Sequence, residues 1–384
     1  MEVDNLVFRK GWPSCDAKEH GSLICCYDTN MPKLSSKSSK DLFPVDMIYG
    51  ILSRLPIKSL ARFRCVCKLW LEYINNPYLR TIHVKEEPTP ILFQRFPPGA
   101  PKKIQISFLR GGVQKEPVLE LCYKGMFWGG LFVGLCNGLI LVCYEQDPMD
   151  AGAYGFAVIN PLSKERHDLP LIPMKMALRE IDLSGPYVAT GIGFDGSTST
   201  FKAVFSIIID PDVIAQNPPL RIRGEGVFCH GRLHWLVDWE PSNNDRRTIV
   251  WFDVKTEEFG LTDPPKPKDA DHGIVFNELV DLNGELGFPY YGPFSIKLWI
   301  LKQQEEWVLH CCIYLPPPYD THAVDISGCW NDDGDILLNY DCGEGLFVYT
   351  LKSGVLKEVD RGDSCEGSDI RVYQSNLFSL HTSA

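Results

Sequence analysis

Val158-Ile159-Asn160-Pro161-Leu162-Ser163-Lys164 is an apolar strand that runs into a turn. The same order of events returns at Trp251-Phe252-Asp253-Val254-Lys255-Thr256-Glu257, at Leu298-Trp299-Ile300-Leu301-Lys302-Gln303-Gln304 and at Val348-Tyr349-Thr350-Leu351-Lys352-Ser353-Gly354. With Asn160, Asp253, Ile300 and Thr350 as equivalent positions the spacings are 93, 47 and 50, the first about twice the others. A further copy is expected near residue 206, where Ala203-Val204-Phe205-Ser206-Ile207-Ile208-Ile209 supplies a strand without the turn. A period of roughly 40–50 residues, with several short strands in each, is the pattern of β-propeller blades of the kelch or WD type. Residues 85–384 hold about six such periods. An open β-sandwich is the alternative that the same strands permit. The run 375–380 is expected to return to an early strand and close the ring, since closure removes exposed edges.

Composition agrees with this reading. The 384 residues are 45% hydrophobic and 23% charged, with Gly 32 and Pro 28, a share that suits many tight turns between short strands better than a helical bundle. The formal net charge of −11 disfavours a nucleic-acid backbone or an anionic membrane as the main partner. It is unevenly spread. Residues 85–384 carry 26 basic and 41 acidic side chains, whereas 41–84 carry six basic and three acidic, a local +3. Fourteen cysteines without a C-x-x-C pair, no N-glycosylation sequon and no secretory leader lead to the expectation of a reducing compartment, the cytoplasm or the nucleus. The charge-free window 125–144 is interrupted by five glycines and reads as a hairpin around Cys136-Asn137-Gly138 instead of a membrane span.

Upstream, 1–40 ends in Lys33-Leu34-Ser35-Ser36-Lys37-Ser38-Ser39-Lys40 and reads as a disordered leader. Residues 41–84 change character. Ile48, Ile51, Leu52 and Leu55 follow the spacing of one helix face behind Pro44, and Pro56 stops that helix. Residues 58–74 then continue as helix, with Leu60, Phe63, Cys67, Trp70, Leu71 and Ile74 recurring every three or four positions. So small a helical module has a weak core of its own, and its large apolar residues imply a partner.

The residues Phe43-Pro44, Ile51-Leu52, Leu55-Pro56 and Val66-Cys67-Lys68-Leu69-Trp70 give this module a close resemblance to the F-box. Gly134-Leu135-Cys136-Asn137-Gly138, Ile159-Asn160-Pro161, Gly191-Ile192-Gly193-Phe194-Asp195, the run Val227 through Leu236 and Ile249-Val250-Trp251-Phe252-Asp253-Val254 are similar, in order, to signatures of the plant F-box-associated interaction domain. The resemblance implies an α+β multidomain chain: a small all-α F-box at 41–84 and an all-β, kelch-like propeller of about six blades at 85–384. It also implies a non-catalytic substrate receptor of a Skp-cullin-F-box ubiquitin ligase, docked through the Skp-type adaptor to cullin and RING subunits. Carried over by position, the adaptor-binding residues are Phe43, Pro44, Ile48, Ile51, Leu52, Leu55, Pro56, Leu60, Val66, Cys67 and Trp70. Tyr49-Gly50 replaces a commonly acidic pair, and a mid-helix glycine costs roughly 0.5–1 kcal/mol against alanine.

Catalytic and metal candidates are weak. Cys229, His230 and His234 straddle a turn, which directs them apart. Asn331-Asp332-Asp333-Gly334-Asp335 lacks the glycine and glutamate of a calcium loop and reads as a tight turn. No phosphate-binding loop or nucleophile elbow is present. No cofactor, no metal, no nucleic acid and no membrane are therefore expected, and the substrate surface is undefined apart from Trp239 in its polar loop. Two other readings stay open: a propeller enzyme or small-ligand sensor, and an F-box protein that holds its partners without degrading them.

Overall fold

The computed structural model describes residues 7–9, 23–27, 44–83 and, with breaks, 88–375. Four short helices come first: α1 (Val45–Leu52), α2 (Ile57–Phe63), α3 (Lys68–Asn75) and α4 (Pro77–Ile82). Pro44 and Pro56 stand immediately before α1 and α2, where a fixed φ already suits a helix start. Asn76 caps α4 by accepting the Tyr78 amide at 2.9 Å, with Pro77 in the first turn. The expectation of continuous helix over 58–74 is corrected. The chain leaves helical geometry before Cys67, whose φ of −161° is extended, so α2 and α3 are separate elements joined by a T-shaped contact between Phe63 and Trp70, 5.0 Å between ring centres. His83 Nε2 lies 2.9 Å from the Leu55 carbonyl and ties the end of the module to the end of its first hairpin.

The remaining strands form six sheets. Sheet 1 contains Ser368–Tyr373, Thr89–Arg95 and Lys103–Arg110, with Val113–Gln114 and Leu119–Cys122 at its outer side. Sheet 2 contains Leu131–Cys136, Leu139–Glu145, Ala153–Asn160 and Glu165–Asp168, with Ile172–Pro173 added to the third strand. Sheet 3 is the hairpin Val188–Asp195 and Thr200–Ile207, extended by Leu23–Tyr27 and Val7–Arg9. Sheet 4 runs from Val227–Cys229 through Arg232–Asp238 and Arg247–Asp253 to Phe259–Thr262, with Arg221–Ile222 also on its second strand. Sheet 5 holds Val280–Leu282, Glu285–Tyr291, Ser295–Leu301 and Trp307–Tyr314, and sheet 6 holds Val324–Cys329, Ile336–Tyr340, Gly345–Thr350 and Val355–Glu358.

A buried apolar cluster fills every junction in the order 1–2–3–4–5–6–1. Phe108, Ile140 and Ile159 lie between sheets 1 and 2; Leu141, Phe156 and Phe205 between 2 and 3; Val204, Trp235 and Phe252 between 3 and 4. Ile249 and Phe288 lie between 4 and 5, Leu298 and Leu338 between 5 and 6, and Leu92, Leu337 and Ile370 between 6 and 1. Strand geometry explains how one strand serves two clusters. In Leu139–Glu145, Leu139, Leu141 and Cys143 enter one cluster while Ile140 and Val142 enter the other, because successive side chains point to opposite faces. This is why the strand reads as an unbroken apolar run instead of an alternating one. The closed ring of clusters is that of a β-propeller and excludes the two-layer sandwich.

The four positions aligned by the repeat, Asn160, Asp253, Ile300 and Thr350, all fall on the third strand of their sheets. The copy expected near 206 falls on Thr200–Ile207, one strand earlier; the third place of sheet 3 is taken by Leu23–Tyr27, antiparallel to it. Two segments of the stretch read as a disordered leader are thus strands: the polar tail at 33–40 drew that reading, whereas Leu23-Ile24-Cys25-Cys26-Tyr27 is an apolar run suited to pairing. Closure comes from Ser368–Tyr373, which pairs antiparallel with Thr89–Arg95. The run 375–380 assigned that role lies, beyond residue 375, outside the described residues. Tyr373 donates its hydroxyl to the Gly138 carbonyl at 3.0 Å, fastening the closing strand to sheet 2.

The helical module is seated on the propeller. Leu162, in the turn after the third strand of sheet 2, packs against both the module's core and the cluster between sheets 1 and 2. Nearby, Arg64 Nη1 lies 3.6 Å from Glu165 Oε1, both side chains 12% exposed, and the Lys58 ammonium stands 5.5 Å from the Phe108 ring centre.

Candidate adaptor-docking face

The module's core is Tyr49, Leu52, Ile57, Leu60, Ile74 and Leu79, with Ile48, Leu55, Phe63 and Trp70 packed on it half-buried. Tyr49 is its keystone: its ring meets Tyr73 edge-on at 5.4 Å and Tyr78 at 5.1 Å. The tyrosine in place of an acidic residue thus serves the module's own packing. Six residues this small a core can hold do not use up the apolar side chains. Met47 is 54% exposed, Ile51 56% and Val66 64%, and Val45, Leu69 and Tyr78 are exposed as well.

The eleven residues carried over by position therefore divide. Ile51 and Val66 present apolar surface, and Pro44, Pro56 and Cys67 are exposed beside them in sequence. Leu52 at 1% and Leu60 at 0% are interior, and Ile48, Leu55 and Trp70 support the module from its flank. Phe43 lies outside the described residues, as does Trp239. Val45, Met47 and Leu69 join the exposed set without having been singled out. Met47 precedes Ile51 by four positions on α1, so the helical spacing that groups them was available in the sequence. Arg54, Arg62 and Lys68 are exposed on the same module, whose charge of +3 favours an acidic partner.

The other candidates come apart. Cys229 points its Sγ toward Asp281 Oδ1, 3.9 Å away, His230 Nε2 lies 3.3 Å from Glu285 Oε2, and His234 is buried with Nδ1 3.3 Å from the Val227 carbonyl. Burial holds the His234 imidazole down at about 4, so it is neutral at physiological pH, and burial pushes the Cys229 thiol well up. Among the described residues no group of three or more metal-ligating side chains converges. The acidic run at 331–335 is a turn locked on itself: Asn331 Oδ1 accepts the Asp335 amide at 3.1 Å, and Asp335 Oδ1 accepts the Leu351 amide at 3.0 Å. No described helix is long and apolar enough to cross a membrane.

Comparison with known proteins meets this architecture at both ends. The F-box domain matches residues 41–81, and the F-box associated beta propeller domain matches residues 213–360. An F-box/kelch-repeat protein of Arabidopsis thaliana is 24% identical over 88% of this chain and 95% of its own length. A putative F-box protein of the same plant is 26% identical over 71% and 72%, and a further F-box protein is 28% identical over 75% and 64%. Among solved structures, a chain of a nidogen/laminin complex aligns over 75% of this chain with a TM-score of 0.40 and 11% identity, a likeness that carries no argument. The helical module lies where the F-box domain matches and the closed propeller contains the match to the F-box associated beta propeller domain, so the chain carries both domains in the order found in the similar plant F-box proteins.

Proposed function

We propose that this protein is a substrate-recognition subunit of a Skp-cullin-F-box ubiquitin ligase, without a catalytic role of its own, acting in the cytoplasm or nucleus. The observation that carries the reading is the surplus of the F-box module. Met47, Ile51 and Val66 stay more than half exposed on a module whose core is already complete, which is the behaviour of a surface kept for a partner. The module's local charge of +3, with Arg54, Arg62 and Lys68 exposed, steers an acidic adaptor toward it. The propeller then grips a target protein, and ubiquitin transfer is accelerated by the high effective concentration of target lysines next to the conjugating enzyme. Cys65, Cys67, Cys136, Cys143, Cys229, Cys311, Cys312 and Cys329 are free thiols, in keeping with a reducing compartment.

The test is binding of the full chain to a purified Skp-type adaptor by calorimetry. Ile51→Asp and Val66→Asp place charges on exposed positions, and each is expected to weaken binding at least about 100-fold, or about 2.7 kcal/mol, with thermal unfolding unchanged. Undiminished binding by the double variant overturns the reading. Leu55→Asp is a poor probe by comparison, because Leu55 packs on the module's core and its loss would unfold the helices.

A further inference from the structure

One end of the propeller axis holds a cavity of about 270 Å³. That lies near the lower bound of about 300 Å³ for ligand pockets, room for a small molecule or one long side chain. Sheets 1, 2, 4, 5 and 6 all contribute to its wall. Sheets 2, 4 and 5 do so with the same device, a two-residue turn at positive φ after the innermost strand: Asn137-Gly138, His230-Gly231 and Asn283-Gly284. Gly138, whose carbonyl accepts the Tyr373 hydroxyl, is part of its wall.

Its charges do not balance. Glu225, Glu278 and Asp281 line it together with a single guanidinium, Arg371. Arg371 Nε is 3.1 Å from Glu225 Oε1 and Nη2 is 3.8 Å from Glu278 Oε2, so the one cation is engaged by two carboxylates. Asp281 is left without a cationic partner within ion-pair distance among the described residues. Asp281 is an exposed residue of the cavity wall, and its Oδ1 accepts the Gly284 amide at 2.6 Å and faces the Cys229 Sγ at 3.9 Å. An independent sign comes from sheet 6. Its innermost strand carries a bulge between Ile326 and Gly328, which takes Ser327 out of the ladder; Ser327 lines the cavity, is 5% exposed, and its hydroxyl has no hydrogen-bond partner. Bulges of this kind re-aim side chains next to binding sites, and a buried hydroxyl without a partner is a ready contact for a polar ligand.

We propose that this axial cavity is a binding site for a guanidinium or ammonium group, with Asp281 as its counter-ion and the Ser327 hydroxyl as a second polar contact. Glu278, at the accessible rim, draws the cation in. The assignment does not depend on adaptor binding: a chain that failed to bind the adaptor would still take the cation.

The experiment is calorimetric titration of the full chain at low salt and neutral pH with three probes: agmatine, acetyl-Gly-Arg-Gly-amide and its neutral isostere with citrulline in place of arginine. Binding of agmatine or the arginine peptide is expected, with the citrulline peptide at least tenfold weaker. A tighter arginine peptide assigns the site to a side chain of a bound protein, and tighter agmatine assigns it to a free small cation. Asp281→Asn keeps the oxygen that accepts the Gly284 amide and removes the unpaired charge. It is expected to lower affinity at least tenfold while thermal unfolding moves up or stays, which a merely structural role would not produce. Ser327→Ala is expected to lower affinity about threefold. Equal binding of the citrulline peptide, equal binding by Asp281→Asn, or no heat from either cationic probe at millimolar concentration overturns the proposal.

Discussion

The two parts of this chain solve the burial of apolar surface in opposite ways. In the propeller each sheet is covered on both faces, so that even Leu139 and Ile140, adjacent in sequence, are fully buried in different clusters, and polar groups are displaced to the axis. In the F-box module four short helices close over six residues and leave Met47, Ile51 and Val66 to solvent. The propeller is closed by Ser368–Tyr373, whereas the module leaves apolar surface exposed among the described residues. A ring can terminate itself; a short helical hairpin pair cannot.

That contrast can be broken most severely at the closing strand. A chain ending before Ser368 loses the partner of Thr89–Arg95 and exposes two apolar clusters, and is expected to lose cooperative unfolding of the propeller, read by calorimetry, while retaining helical circular dichroism from the module. Leu60→Ala attacks the other side of the comparison. With Leu60 fully buried, about 2–5 kcal/mol is expected from chemical denaturation, whereas Val66→Ala, exposed on the same module, is expected within about 0.5 kcal/mol.

Acid separates the parts differently. His234, at the heart of sheet 4, has its imidazole held at about 4 by burial, so the unfolded chain takes up its proton first as pH falls from about 6.5. Its contribution is complete above about pH 6.5 and is lost toward pH 4, amounting to about 3 kcal/mol in the propeller's unfolding free energy. His234→Gln is expected to flatten that part of the pH profile and to leave the module's profile alone. The smallest effect sharpens the comparison from the stabilising side. A methyl built on Gly50 meets nothing within 4 Å, so Gly50→Ala in α1 is expected to raise the module's stability by about 0.5–1 kcal/mol.

Sequence reasoning reached the propeller because its turns and third strands repeat. Asn160, Asp253, Ile300 and Thr350 occupy equivalent places, and the turns at Asn137-Gly138 and His230-Gly231 stand where glycine demanded them. It reached the F-box helices through the spacing of Ile48, Leu52 and Leu55. Which of those residues faces out was not legible, because Ile51 and Leu52 are adjacent on a stripe wider than the core beneath it; only packing distinguishes 56% from 1% exposed. The contribution of Leu23–Tyr27 to sheet 3 and the identity of the closing strand were equally hidden, since pairing over long separations leaves no local signal in either partner. The charge imbalance of the axial cavity belongs to the same class: Asp281 and Arg371 come from strands of sheets 5 and 1, Glu225 and Glu278 from segments outside the named strands, and none is unusual in sequence.

The bond from Tyr373 to Gly138 bridges 235 positions, and because its strand follows every other strand of the propeller in sequence, it orders events in time. On a ribosome the F-box helices emerge complete while the propeller is still an open arc, and closing so long a loop carries about 5 kcal/mol of entropy that no local contact offsets. The module's exposed apolar surface is therefore available before the ring exists. Until Ser368–Tyr373 arrives, the apolar edges of sheets 1 and 6 are open to chaperones and to misassociation, so the final six-residue strand acts as a completion signal for the whole molecule.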